Sequence, residues 1–305
     1  MVVTALDRAV LARVEAAVRA GEPLRLAMGE AETRLAVAKL GLELHELIPF
    51  FHGVDDPDLR AWLPPAAKGG PATGVTVVIP THRQRPLGLD AWSAQDLDTE
   101  VIVLANGDYT DGVRVPWEGH GATRNRGTAL ARFPYVLFSV DDALPLGAGM
   151  LRHMVDTLDA ANFDAVSARQ VPWPTADRVT RARLRAWTPP AGDRGPLDNV
   201  CALYRRDALA HDPFDHVPTA EDWLWGRRHR VGYAPGAPVA HSHPRGFRAL
   251  FTRTRDTHRE RIRAGEAPSV PDLATLARGL PSTLGRDFRG ALGELAGQWA
   301  AGRGV

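Results

Sequence analysis

The 305-residue sequence has a single cysteine, Cys201, so no disulfide can form within the chain, and a reducing compartment suits it. Its neighbours Val200, Ala202 and Leu203 point to a buried strand position rather than to a nucleophile. Excess charge is also missing. Lysine and arginine number 37 against 36 acidic residues, a formal net charge of +1, which leaves no basic surplus to neutralise phosphates and argues against a dedicated nucleic-acid binder. No apolar run approaches transmembrane length, and the opening residues, with Asp7, Arg8, Arg13 and Glu15, lack the apolar core of a signal peptide. The expectation is a cytoplasmic protein. Two nucleotide motifs are absent as well. No Gly-Lys-Ser/Thr loop occurs, and Pro80-Thr81-His82 stands where a dinucleotide fingerprint would need its glycines. What is plentiful is Ala, Arg, Gly and Pro, a composition that fits a bacterial genome of high GC content.

The chain divides by texture. Leu6, Val10, Leu11, Val14 and Val18 have helical spacing, Glu30 to Leu40 repeats the pattern, and Leu42 to Phe51 continues as a further helix. His45 and His52 read as surface or packing residues. From Gly53 to Gly74, Pro, Gly and Asp dominate, as in a linker. Residues 1–73 are therefore expected to be an accessory helical segment and linker. From Gly74 an α/β pattern begins: strands at Val75–Ile79 and Glu100–Leu104, a helix leading to Arg132, and a strand from Tyr135. A helix over 149–160 follows, then strands over 163–168, 199–204 and 232–240. Residues 170–198 read as a long loop at the ligand edge. Residues 74–265 form the principal domain, and 266–305 a C-terminal helical extension with Leu273, Leu276, Leu280, Leu292, Leu295 and Trp299 facing a core or a partner, which leaves a homodimer open.

Chemistry concentrates where strands end, the edge at which open α/β sheets bind ligands. Tyr135 to Val140 runs straight into Asp141 and Asp142. Adjacent carboxylates repel, and a divalent cation offsets that cost; the alternative is a solvated turn. Pro80, Thr81, His82 and Arg83 leave the first strand, and Asn106 and Asp108 close the second. Arg124 and Asn125 sit at a helix start, a natural diphosphate site, although Asn125 alone could serve as a cap. Glu221 and Asp222 open another helix, as either capping residues or catalytic carboxylates. His241 and His243 follow the last strand, as either metal ligands or turn residues before Pro244. The helix over 245–263 is rich in arginine, compatible with contact to an anionic membrane surface or with a solvated helix that packs one face.

Four of these pieces, in order, resemble family 2 glycosyltransferases, which have the GT-A fold. They are Val77-Val78-Ile79-Pro80-Thr81, Gly121-Ala122-Thr123-Arg124-Asn125-Arg126-Gly127, Phe138 to Pro145 as the strand ending in a DxD motif, and Glu221-Asp222-Trp223-Leu224. The tail with His241 and His243 is similar to rhamnosyltransferase-like members. The resemblance spans about residues 74–260 and departs at Ala105 and Val140, where the family has acidic residues. It implies an inverting, metal-dependent transfer of a sugar from a UDP-, dTDP- or GDP-sugar to a hydroxyl of a glycan, lipid-linked, small-molecule or peptide acceptor. Asp222 would be the base, with Glu221 orienting. Asp142, His243 and His241 would hold Mg²⁺ or Mn²⁺, with Zn²⁺ an alternative for this ligand set. Pro80, Thr81, His82, Arg83, Asn106, Asp108, Arg124, Asn125 and Asp141 would bind the donor, and Trp223 and Trp225 the acceptor. The competing reading, motivated by Ala105 and Val140, is a catalytically silent GT-A domain that binds a nucleotide or a partner.

Overall fold

The structure, a computed structural model, describes residues 1–63, 74–82, 85–191, 195–243 and 247–266, with 296–297 and 300–301. Arg83, Pro244, residues 64–73 of the expected linker and nearly all of the expected C-terminal extension lie outside the described residues.

The N-terminal segment is not purely helical. Three two-residue strands, β1 (Val2–Val3), β2 (Arg25–Leu26) and β3 (Gly53–Val54), pair in parallel in that order. Between them run α1 (Arg8–Arg19) and α2 (Glu30–Leu40), then α3 (Leu44–Leu47) with a 3₁₀ turn, and α4 (Pro57–Arg60) after β3. Asp7 caps α1 by accepting the Val10 N–H, and Leu11, Val14, Ala17 and Val18 form its buried face at helical spacing. That core does not end with the segment. Leu144, Leu146, Val171, Trp173 and Ala240, from the far edge of the large sheet, belong to the same cluster. A buried ion pair, Arg181 Nη1 to Glu46 Oε2 at 2.8 Å, adds a polar tie.

The large sheet contains β4 (Val75–Thr81), β5 (Thr99–Ala105), β6 (Val113–Arg114), β7 (Tyr135–Ser139), β8 (Leu144–Pro145), β9 (Ala165–Val171), β10 (Cys201–Arg205) and β11 (Val231–Ala240). Their order is β6-β5-β4-β7-β10-β9-β11-β8. The first four take the 3-2-1-4 arrangement of a nucleotide-binding half, whose switch point lies between β4 and β7. β10 runs antiparallel to both neighbours, so the sheet is mixed. Alternation along β4 and β7 explains why both are buried on two faces. Val77, Ile79 and Leu137 join one core, while Val78, Val136 and Phe138 join the other. The expected α/β architecture is thus present. α5 (Leu89–Ser93) and α7 (Met150–Ala160) belong to the first core through Trp92, Leu151, Met154 and Leu158.

The expected long loop over 170–198 holds a helix, α8 (Arg178–Trp187), started by Asp177, which accepts the Thr180 N–H at 2.8 Å. α9 (Arg206–His211), α10 (Glu221–Gly226) and α11 (Phe247–Arg263) complete the described elements. Between β6 and β7 lies α6 (His120–Leu130), whose glycines are close-approach positions. A Cβ on Gly121 would stand 2.4 Å from the Asp215 carbonyl oxygen, and one on Gly127 would stand 2.5 Å from Val78 Cγ1. Gly121→Ala is therefore expected to cost about 1–3 kcal/mol in chemical denaturation, because overpacking outweighs the gain in helix propensity.

Candidate active site

A cleft of about 390 Å³ opens where β4 and β7 end. Pro80, Thr81 and His82 leave β4 on one side, and Ser139, Val140 and Asp141 leave β7 on the other. Asn106, Trp117, His120 and Arg124 complete the lining. Thr81 Oγ1 donates to Asp141 Oδ2 at 2.7 Å and bridges the two strand ends. Burial raises the Asp141 pKa, and the neighbouring charge of Asp142 adds to that, against the lowering effect of Thr81 and His243. His82 Nδ1 lies 3.2 Å from the Asn106 carbonyl, and the Asp108 N–H donates to the His82 carbonyl. The Asp108 side chain is exposed and does not line the cleft. Ala105 is buried at the end of β5.

Next to this cleft, Asp142 meets the two histidines that follow β11. His243 Nε2 stands 2.8 Å from Asp142 Oδ2, and His241 Nε2 stands 3.6 Å from Oδ1. One ligand atom from each residue fits within 4.8 Å, a spacing that can hold a metal ion. The opposite nitrogen of His241, Nδ1, is 3.0 Å from Gln170 Oε1, and Gln170 Nε2 donates to Asp198 Oδ2 at 2.8 Å. Asp198 only accepts when ionised, which orients the Gln170 amide. That orientation puts the His241 proton on Nδ1 and leaves Nε2 as the lone-pair nitrogen facing Asp142. Burial alone would raise the Asp142 pKa, but the His243 hydrogen bond and the positive charge that His241 and His243 carry when protonated outweigh it and hold the carboxyl low.

The second acidic pair opens α10. Ala220, just before it, takes the left-handed conformation at φ 66°, a strain that a non-glycine residue rarely carries and that often marks a functional turn. Glu221 is buried and accepts Arg124 Nη1 at 2.7 Å and Asn199 Nδ2 at 3.2 Å. Asp222 accepts the backbone N–H groups of Asn199, at 2.9 Å, and of Trp223, at 2.8 Å. Its pKa is pushed up to about 7 by burial first, then by Glu221 and Asp198, with the Asn199 bond and Arg124 opposing. A carboxyl poised near neutrality suits a general base. Arg124 ties this pair to the cleft. It is 6% exposed, and its Nε has no partner among the described residues.

Two expectations fail. Trp225 is fully buried, stacked on His229 with ring centroids 3.6 Å apart and packed on Tyr204, and its Nε1 donates to the Asp212 carbonyl, so it cannot meet an acceptor. The Asn125 amide, expected at the donor, is engaged elsewhere. Its Nδ2 donates to the Phe214 carbonyl and its Oδ1 accepts the Phe214 N–H, a two-way clamp on the backbone. Trp223 is only half-buried, and the guanidiniums of Arg227 and Arg261 lie 4.9 and 4.8 Å from its ring centroid. The basic helix α11 thus reaches α10. No described helix is long and apolar enough to cross a membrane.

Sequence reasoning missed Trp117, His120, Gln170, Asp198, Asn199 and Trp187. Trp117 and His120 meet edge to face at 5.0 Å on the cleft rim. Burial, and then Arg124, lower the His120 pKa, against the pull of Glu221. Trp187 is 46% exposed and donates Nε1 to Asp198 Oδ2 at 3.3 Å, which places an indole beside the Asp222 carboxylate network. The one available signal was Trp117-Glu118-Gly119-His120 directly before the glycine-rich helix start.

No family model matches the chain, and no curated protein matches it by sequence. Solved structures do resemble it. A mannosyltransferase, PcManGT from Pyrobaculum calidifontis in complex with GDP-Man and Mn²⁺, aligns at 20% identity over 84% of this chain and 77% of that one, with a TM-score of 0.49. TarS from S. aureus in complex with UDP-GlcNAc aligns at 14% identity over 63% of this chain and 68% of that one, with a TM-score of 0.43.

Proposed function

We propose that the chain is an inverting, metal-dependent glycosyltransferase of the GT-A type, similar to family 2, that moves a sugar from a nucleoside diphosphate to an acceptor hydroxyl. One observation carries this reading: Asp141 and Arg124 line the cleft at the β4/β7 switch point, Asp141 is followed by Asp142 with His241 and His243 against it, and Arg124 pairs with Glu221, the neighbour of Asp222. A cation ligand set and a carboxyl with a pKa near 7 flanking one nucleotide-sized cleft match displacement at a sugar carbon. The nucleotide lies over Thr81, His82 and Asn106, and Asp141 is held toward it by Thr81. The Nε of Arg124 is a donor in search of an anion and is offered to the diphosphate. A divalent ion, when bound, stabilises the charge of the leaving diphosphate as a Lewis acid. Two imidazoles with one carboxylate suit Mn²⁺ better than Mg²⁺, which favours oxygen ligands. Asp222 takes the acceptor proton, Glu221 holds Arg124, and Trp223 and Trp187 offer aromatic faces to the acceptor. A base on the face opposite the leaving group gives inversion.

Thermal shift with UDP, dTDP and GDP, each with and without Mn²⁺, followed by donor turnover, tests this. One nucleotide is expected to stabilise the chain only with the metal, and its sugar conjugate to be consumed. Metal-dependent nucleotide binding without transfer or donor hydrolysis would identify a silent binding domain; no binding of any nucleotide would reject both readings. Gln170→Leu, which leaves the His241 tautomer unset, is expected to weaken Mn²⁺ binding about 10–100-fold by titration calorimetry.

A further inference from the structure

Outside the cleft, one buried charged side chain among the described residues has no ion-pair partner. Arg169, on β9, is 7% exposed, and its Nε has no hydrogen-bond partner among the described residues. No carboxylate among them pairs with it either, whereas Arg181 and Arg185, on the neighbouring α8, both pair with Glu46. A buried guanidinium without an anion is costly and cannot shed its proton. No hydrogen bond joins it to Tyr233, whose hydroxyl donates to the Pro189 carbonyl.

Arg169 borders a small cavity together with His45, Arg185, Gln170 and Thr188. The free space is about 10 Å³, room for one particle near the size of a water molecule. Glu46 also lines it, but both of its oxygens already accept from guanidiniums, Oε2 from Arg181 at 2.8 Å and Oε1 from Arg185 at 2.6 Å. The one other carboxylate at Arg185 among the described residues, that of Glu43 at 3.6 Å, is exposed. Glu46 is thus committed to Arg181 and Arg185, and Arg169 borders the same cavity without a carboxylate of its own. Thr188 Oγ1 donates to the Gln170 carbonyl, so the hydroxyl closes the wall rather than filling the space.

We propose that this cavity, between α3, β9 and α8, binds a single halide-sized monovalent anion, chloride in ordinary solution, against the Arg169 guanidinium. A tetrahedral oxyanion is too large for it. The site has a structural consequence. Arg169 precedes Gln170, which orients His241, so the anion steadies the strand that supports the candidate metal ligands. This assignment does not depend on the transferase reading.

The test is thermal unfolding of the full chain in sodium chloride, sodium bromide and sodium gluconate at matched ionic strength. A saturable rise of a few degrees in chloride and bromide over gluconate is expected. Arg169→Met, which keeps an apolar stem and removes the charge, is expected to abolish the difference. Equal melting in all three salts, or a difference that survives in Arg169→Met, would overturn the proposal. Should that variant not fold, a bromide-soaked crystal of the unaltered chain decides. An anomalous peak beside Arg169 Nε supports the site, and water density without anomalous signal refutes it.

Discussion

Replacing Asp222 by asparagine is expected to lower turnover about 10²–10⁴-fold while leaving nucleotide affinity unchanged. The carboxyl is held on α10 by two backbone N–H groups and is not among the residues lining the nucleotide cleft, so its loss touches proton removal more than donor binding. Its pKa of about 7 sets a second readout. Turnover in the unaltered chain should climb with pH and level off above about 7, where the base is ionised. Stability should move the other way. The folded state keeps a proton that the unfolded chain loses near pH 4, so stability declines as pH rises through the window from about 4 to 7, by a few kcal/mol in all. Asp222→Asn removes that titration, and denaturation at pH 5 and pH 8 should then differ less than in the unaltered chain. An unchanged pH slope together with full turnover would remove Asp222 from the mechanism.

Glu221→Ala has the largest expected effect on stability, about 3–5 kcal/mol. It strands the buried Arg124 guanidinium and the Asn199 amide, both of which now donate to Glu221 Oε1. For a chain of this size that lowers the melting temperature by roughly 6–20 °C. Arg124→Met combined with Glu221→Leu should recover much of the loss, since no charge is then left buried. Losses that simply add in the double variant would show that the two side chains do not form a functional unit. Glu221→Gln carries a separate signature. The Glu221 charge helps raise the Asp222 pKa, so its removal should move the rising limb of the pH–rate profile to lower pH.

The elements that build the cleft were legible because their composition is extreme. β4 and β7 are short apolar runs with a polar exit, and α6 carries glycines, Gly121 and Gly127, where a Cβ would crowd its neighbours. The three strands of the N-terminal segment have two residues each, too few to leave any periodicity. α8 was hidden because arginines crowd it and prolines flank it. At the site, the acidic pairs and the histidines could be found from their places at strand and helix ends. The sorting of Trp223 from Trp225, and of Arg124 from Asn125, could not. Neighbours one or two residues apart on a helix differ in which face meets the core, and that is settled here by Phe214 and Tyr204, which lie on neither helix. Gln170 and Asp198 were invisible for a related reason: a single polar residue that orients a histidine from another strand has no spacing to betray it.

The shared core of the N-terminal segment also governs the order of events during synthesis. Residues 1–63 emerge first, yet the side chains that complete their core include Val171, Trp173 and Ala240. At about 5–20 residues per second, Ala240 follows Leu59 by roughly ten to thirty-five seconds. Until these side chains are made the segment's core stays incomplete, and Phe50 lacks the Trp173 ring whose centroid lies 6.0 Å from its own. A chain stopped before β11 would leave that core without Ala240.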